Sequence, residues 1–169
     1  VSIINQLDKK NIADISVLSK TEYQKVIFDF NDTAVDYPKD KCVHELFEEQ
    51  AAKTPDKIAL IFEDKKITYR QLDEMSNSLA HYLINNGIKR KDVIGVYCNR
   101  SEKVIISQLA SLKLGCIFLP IDRRYPYERV RNLLNNCNVS ILLTDNNSFK
   151  FNIHEINIED GLSSSTKNL

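Results

Sequence analysis

His44, His81 and His154 are the only imidazoles in the chain, and none has a partner at metal-ligand spacing. His44 precedes Glu45, but the second histidine of an H-E-x-x-H helix is missing. His44 and His81 fall on predicted helices as surface or edge residues. Cys42, Cys98, Cys116 and Cys137 stand far apart, with no C-x-x-C pair. Zinc and dithiol chemistry need tighter spacing, so the four read as free thiols of a reducing compartment, expected to be buried. No G-x-S-x-G marks a nucleophile elbow. Glu48 and Glu49 are adjacent on a helix, point to different sides and cannot share acid–base work. Arg123, Arg124, Arg129 and Arg131 form a cationic cluster. It suits a phosphate or an acidic partner surface; the simpler reading is a solvated helix start balanced by Asp122 and Glu128.

Phosphate binding by a loop requires backbone amides at close approach, and therefore glycine. Gly87, Gly95, Gly115 and Gly161 are the only four. The turn after the apolar run Val93–Cys98 reads NRSE, and neither G-x-G-x-x-G nor G-K-[ST] occurs. A dinucleotide-binding half is not indicated.

The elements that must position these residues belong to a globular chain. Apolar residues make up 43% and charged residues 27% of the 169, which excludes disorder. Basic and acidic residues balance at 23 each, so the surplus that a nucleic-acid partner requires is absent. The longest clean apolar run, Cys116 to Ile121, falls far short of the ~20 residues of a membrane span. The opening VSIINQLDKKN lacks the form of a secretory signal. A cytoplasmic location is expected. Val1 leads a chain whose single methionine is Met75, so a processed chain or a piece of a longer one is expected.

Residues 1–37 read as a linker. Ser2–Leu7 suits the end of a helix, and Ser19 with Glu22 forms a capping box that predicts a helix over Thr21–Phe28. Ile12, Ile15, Val17, Leu18, Val26, Ile27 and Phe28 make the linker too apolar for a free tether, so docking is expected. From Asp40 the pattern becomes regular. Val43, Leu46, Phe47, Gln50 and Ala51 share one helical face, ended at Thr54-Pro55. Ile58–Phe62 and Ile67–Tyr69 predict a hairpin around EDKK. Thr68 and Gln71 open a helix burying Leu72, Met75, Leu79, Tyr82 and Leu83, stopped at Gly87.

Strands are predicted at Val93–Cys98, Cys116–Ile121 and Val139–Thr144. A buried helix over Ser101–Leu114, and another begun at Pro126 that carries Val130, Leu133 and Leu134, separate them. This β-α-β-α-β run predicts an α/β fold with a parallel sheet. Ile153–Ile158 suits a short further strand, and GLSSSTKNL reads as a frayed end.

Three stretches carry a resemblance. NDTAVDYPKDKCVHELFEEQAAKTPDKIALIFEDKKITYRQLDEMSNSLAHYL closely resembles the start of a nonribosomal peptide synthetase adenylation domain. ITYRQL, at Ile67–Leu72, looks like the family's first core motif, and LASLKLGCIFLPIDRRYPYERV, at Leu109–Val130, like its second. IADISVLSKTEYQKVIFDFN is similar to the linker after a condensation domain. The second motif departs from the family where Leu114 replaces a small residue and Arg123 a proline.

The resemblance implies the large N-terminal subdomain of an adenylate-forming enzyme, incomplete over 38–169 and preceded by the linker over 1–37. The parent enzyme would use ATP and Mg²⁺ to make an aminoacyl adenylate, then load the acyl group onto a carrier protein's phosphopantetheine as a thioester. The family's phosphate loop, amino-acid pocket and mobile C-terminal subdomain have no counterpart in this sequence. No catalytic, cofactor or metal residue is therefore transferred, and no cofactor is expected on this chain alone. Thr68, Tyr69 and Leu72 map onto the first motif; Leu112, Lys113, Gly115, Pro120 and Asp122 map onto the second. Their expected roles are structural: Thr68 caps a helix, Gly115 stops one, Pro120 ends a strand and Asp122 bonds turn amides.

Expected partners are the remainder of the adenylation domain, the condensation domain and the carrier protein, with neither nucleic acid nor membrane. A truncated sheet predicts self-association through an exposed edge. Two alternatives stay open: a non-catalytic docking module, and a fragment of an acyl-CoA ligase-like enzyme.

Overall fold

The computed structural model describes residue 11 and residues 18–145 and 150–163. It divides the chain into two compact units, Val1–Asp40 and Lys41–Leu169.

In the first unit, helix α1 spans Lys20–Ile27, one residue from its predicted bounds. Its capping box is formed: Ser19 Oγ accepts the Glu22 N–H at 3.2 Å, and the Glu22 carboxylate accepts the Ser19 N–H at 2.8 Å. These bonds hold the Glu22 carboxyl below its ordinary range. A single 3₁₀ turn, Asp29–Asn31, follows. The Asn31 amide donates to the carbonyls of Val26 and Ile27 at 3.1 and 2.8 Å, satisfying groups orphaned at the helix end. Helix α1 buries none of its residues, and Val26, Ile27 and Phe28 are exposed. Ser2–Leu7, Ile12, Ile15 and Val17 lie outside the described residues.

The second unit opens with helix α2, Val43–Lys53, and a hairpin of β1, Ile58–Phe62, and β2, Lys65–Thr68. Helix α3 is Tyr69–Asn85 and β3 is Val93–Tyr97. Helix α4, Glu102–Lys113, leads to β4, Ile117–Pro120; α5, Tyr127–Asn136, leads to β5, Val139–Thr144. The short β6, Glu155–Asn157, and α6, Ile158–Leu162, follow. The four strands β4-β3-β5-β6 pair side by side, all parallel.

The sheet's alternation makes two cores. Ile94, Val96, Ile141 and Leu143 join Leu72, Leu79 and Leu83 of α3 and Ile106, Leu109 and Ala110 of α4. Tyr97, Val139 and Leu142 point the other way and meet Val130 and Leu134 of α5. Helices thus cover both faces, the arrangement that an all-parallel sheet requires. Gly87 and Gly115 end α3 and α4 at φ +87° and +65°, where a side chain would be strained.

The structure corrects four expectations. Val43 and Leu46 of α2 are exposed, and Ala51 is its only buried residue, because this helix meets α3 and α4 along a narrow strip. Met75 and Tyr82 are only partly buried, whereas Ser76, Asn77 and Ser78 are buried. Helix α3 packs against both α4 and α6, which widens its buried arc beyond one apolar stripe. Cys98 and Cys116 are buried, Cys137 is half-buried and Cys42 is exposed, because Cys42 stands at the solvated N-cap of α2. Finally, Gly161 and Leu162 belong to α6 instead of a frayed end, with Gly161 buried against α3 and Ser163 as the C-cap; residues 164–169 lie outside the described residues.

Candidate functional site

Parallel α/β sheets present their ligand-facing groups beyond the carboxyl ends of the strands, where neighbouring connections diverge. Here the chain leaves β3 toward β4 on one side, while β5 leads to β6 on the other. At that point Asp145 follows β5 directly. Its carboxylate accepts the Asn99 N–H at 2.8 Å and pairs with the Arg123 guanidinium, which also lies over the Tyr97 ring. Asp145 thereby ties the ends of β3 and β5 to the turn after β4.

Beside it, Asp122 is held by Arg124 through both carboxylate oxygens and through the Arg124 N–H at 2.9 Å. These hydrogen bonds pull the Asp122 carboxyl down to about 2, and they raise Arg124 in turn. A cavity of about 520 Å³ opens between the ends of β3 and β4, with Cys98, Arg100, Asp122, Arg123 and Arg124 in its wall. Burial, reinforced by the Asp145 charge, pushes the Cys98 thiol up to about 11 and keeps it neutral.

The motif residues form two groups at different places. Thr68 caps α3: its Oγ1 accepts the Gln71 N–H at 3.2 Å, and Gln71 Oε1 accepts the Thr68 N–H at 2.9 Å. Leu72 is buried in the core below, and Tyr69 leans its ring on Phe47. Lys113, at the end of α4, reaches back to that same helix. Its side chain is 3% exposed and donates to Asp73 at 2.6 Å and Asn77 at 2.5 Å, with Glu48 of α2 at 3.5 Å. Leu112 is half-buried, Gly115 and Pro120 are exposed, and Pro120 closes β4. Asp122, the last of the set, stands at the carboxyl-end cavity.

The arginine cluster resolves mostly into local pairs. Arg131 pairs with Glu128, Arg124 with Asp122 and Arg123 with Asp145, while Arg129 lies over Tyr125 at 4.1 Å. Sequence reading missed Asp145, Arg100, Asp73 and Glu102. Asp145 had a visible signal, a carboxylate directly after the buried strand VSILLT. Glu102 had none. It is 6% exposed and accepts a 2.6 Å bond from Lys65. Burial alone would raise its carboxyl, but Lys65 holds it below the ordinary range.

These residues do not fit a nucleotide triphosphate. Gly87 and Gly115 end helices, a Cβ on Gly95 would meet Leu142 at 2.9 Å, and one on Gly161 would meet Leu79 at 2.5 Å. None offers amides in a turn beyond the parallel strands. Among the described residues, no three His, Cys, Asp or Glu converge as a metal requires.

Residues 47–167 match the profile of the AMP-binding enzyme family. The chain belongs to that family. It is 41% identical over 152 residues to gramicidin S synthase 2 of Brevibacillus brevis, covering 88% of this chain and 3% of that protein. It is 41% identical over 136 residues to bacitracin synthase 3 of Bacillus licheniformis, covering 80% and 2%. The N-terminal subdomain of Klebsiella oxytoca NpsA, solved with 3-hydroxyanthranilyl-AMSN, superposes with TM-score 0.70 at 28% identity. That match covers 76% of this chain and 33% of the other.

The parallel α/β layer is thus part of the N-terminal subdomain fold of adenylate-forming enzymes. Bacillus subtilis O-succinylbenzoate coenzyme A synthetase shares that fold at 20% identity and TM-score 0.67, across 73% of this chain and 33% of its own. The chain spans a small share of the synthases it matches. No described helix is long and apolar enough to cross a membrane.

Proposed function

We propose that this chain is the N-terminal part of an amino-acid adenylation domain of a nonribosomal peptide synthetase, with residues 1–37 as the preceding condensation–adenylation linker. The observation that carries the reading is 41% identity to gramicidin S synthase 2 across 88% of the chain, supported by the shared subdomain fold. The parent enzyme would use ATP and Mg²⁺ to activate an amino acid as its adenylate, then deliver it to a carrier protein's phosphopantetheine. This chain's own residues supply the frame. Lys113 fastens α4 to α3 and α2, and Asp145 and Asp122 fix the turns at the carboxyl ends of β3 and β4. A cytoplasmic setting accords with the free thiols.

The test is amino-acid-dependent ATP–pyrophosphate exchange. The chain alone is expected to show none with any amino acid, and the chain extended by its downstream sequence is expected to show it. Exchange by the chain alone would overturn the reading.

A second reading, a docking module, rests on the exposed Val26, Ile27, Phe28 and Tyr37 of the first unit. The surface suits the neighbouring condensation domain, and titration against that isolated domain decides it: saturable binding supports docking, and no binding removes it. Self-association through the edge strand β4, where Ile117 is 54% exposed, is part of the proposal. Sedimentation velocity is expected to show concentration-dependent dimers that Ile117→Lys abolishes.

A further inference from the structure

The cavity at the carboxyl ends of β3 and β4 has a charge inventory that the framing role does not use. Two of its arginines are matched one to one by carboxylates: Arg123 by Asp145 and Arg124 by Asp122. Arg100, in the turn between β3 and α4, is exposed and makes no salt bridge to a described residue. With Asp145 counted beside the wall, three arginines meet two carboxylates there, an excess of one positive charge. The Arg124 side chain is 79% exposed, so its guanidinium can turn toward a second anion while its backbone N–H stays with Asp122. The thiol of Cys98 stays neutral in the same wall and adds no competing negative charge.

We propose that this crevice binds one phosphate-class oxyanion, held by Arg100 and Arg124 side chains and not by a backbone nest. Guanidinium groups recognise such anions through paired, charge-assisted N–H bonds, with no need for the glycines that an amide cradle demands. The place lies beyond the carboxyl ends of the parallel strands, beside the β3–β5 divergence at which open sheets hold ligands. At about 520 Å³ the cavity admits a phosphate with its hydration, or the phosphate end of a larger ester. Binding of this kind does not depend on which reaction the parent enzyme performs.

Calorimetric titration of the full chain with inorganic phosphate at low ionic strength tests it. Saturable one-site binding is expected. Arg100→Gln, an exposed substitution that leaves the packing intact, should weaken it about tenfold. Asp122→Asn removes the competing carboxylate and should tighten it severalfold, a sign that general surface attraction does not predict. Arg131→Gln, outside the crevice, should change nothing. AMP should bind no more than a few times better than phosphate if the oxyanion alone is read. Absence of saturable binding, an unchanged Arg100→Gln, or AMP affinity at least tenfold above phosphate would each overturn the proposal. Should Asp122→Asn fail to fold, Arg100→Glu decides alone: it must abolish binding.

Discussion

The hydroxyl of Ser78 donates a 2.8 Å hydrogen bond to the carbonyl of Gly161, 83 positions later in the chain. The bond is buried, and it is possible only because α3 and α6 nearly touch. A Cβ on Gly161 would lie 2.5 Å from Leu79 Cδ1 and 3.5 Å from the Leu79 Cα. Gly161→Ala therefore forces Leu79, itself fully buried, off its position. The expected cost is about 1–3 kcal/mol, as for other overpacked cores. Ser78→Ala removes this buried hydrogen bond and should cost about 1–2 kcal/mol. Urea unfolding of each variant measures both. A neutral Gly161→Ala would mean that α6 is not seated as described.

This contact was invisible in the sequence for a physical reason. The apolar period located α3, α4, α5 and the parallel strands, because their core faces repeat at helix or strand spacing. Ser19, Thr68 and their partners three residues on gave the capping boxes, since a cap is written within one turn of chain. Gly161 sits in a five-residue helix, IEDGL, too short to show a period. Its role comes from Leu79, far away in sequence. The same holds at the carboxyl ends of the strands. Asp122 was legible as a turn former because its amide partner, Arg124, is two residues off. The Asp145–Asn99 bond crosses 46 residues and exists only once β3 and β5 pair. The exposed apolar face of α2 marks the opposite error: a periodic pattern does not say which neighbour, if any, covers it.

Lys113 is the most deeply placed cation in the described structure that holds three polar partners. Its ammonium meets Asp73, Asn77 and, more distantly, Glu48, so it links α4 to both α3 and α2. Removing one partner of a buried pair is worse than removing both, because the survivor stays charged and desolvated. Asp73→Ala is therefore expected to cost about 3 kcal/mol. Lys113→Met should cost less, because Asp73 is 27% exposed and recovers solvation, and the thioether fills the stem's space. In a double-mutant cycle by denaturant unfolding, the pair should show a favourable coupling above about 1 kcal/mol. Additivity of the two substitutions would show that Lys113 does not depend on Asp73.

The thiols should separate by burial. Cys42 is exposed at the start of α2 and should react with a disulfide reagent at once; Cys137, half-buried, should follow more slowly. Cys98 and Cys116 should wait for unfolding, since burial, with nearby Asp145 and Asp92 respectively, raises both. The Cys98 shift also sets a sign at alkaline pH. Its folded value, about 11, lies above the unfolded 9.0, so the folded state keeps a proton that the unfolded state loses. The stability associated with this group is present below pH 9.0 and falls as pH rises toward 11. Cys98→Ala should flatten that decline in the denaturant midpoint, and an unchanged alkaline slope would contradict the assignment.

At the acid end the sign reverses. Asp122 moves from an ordinary 3.8 down to about 2 on folding, through hydrogen bonds from the Arg124 side chain and N–H, with Arg100 contributing last. The unfolded carboxyl therefore takes up a proton first as pH falls, and protonation favours unfolding. The contribution of this carboxylate is complete above pH 3.8 and is lost as pH drops through about 2. The site is solvent-facing, so salt should reduce the effect. The stability gap between wild type and Asp122→Asn, followed by urea unfolding from about pH 7 to about pH 2, should stay level to about pH 4 and then close. If it instead widens as the pH falls, Asp122 is not held as a carboxylate by Arg124, and the turn after β4 has another anchor.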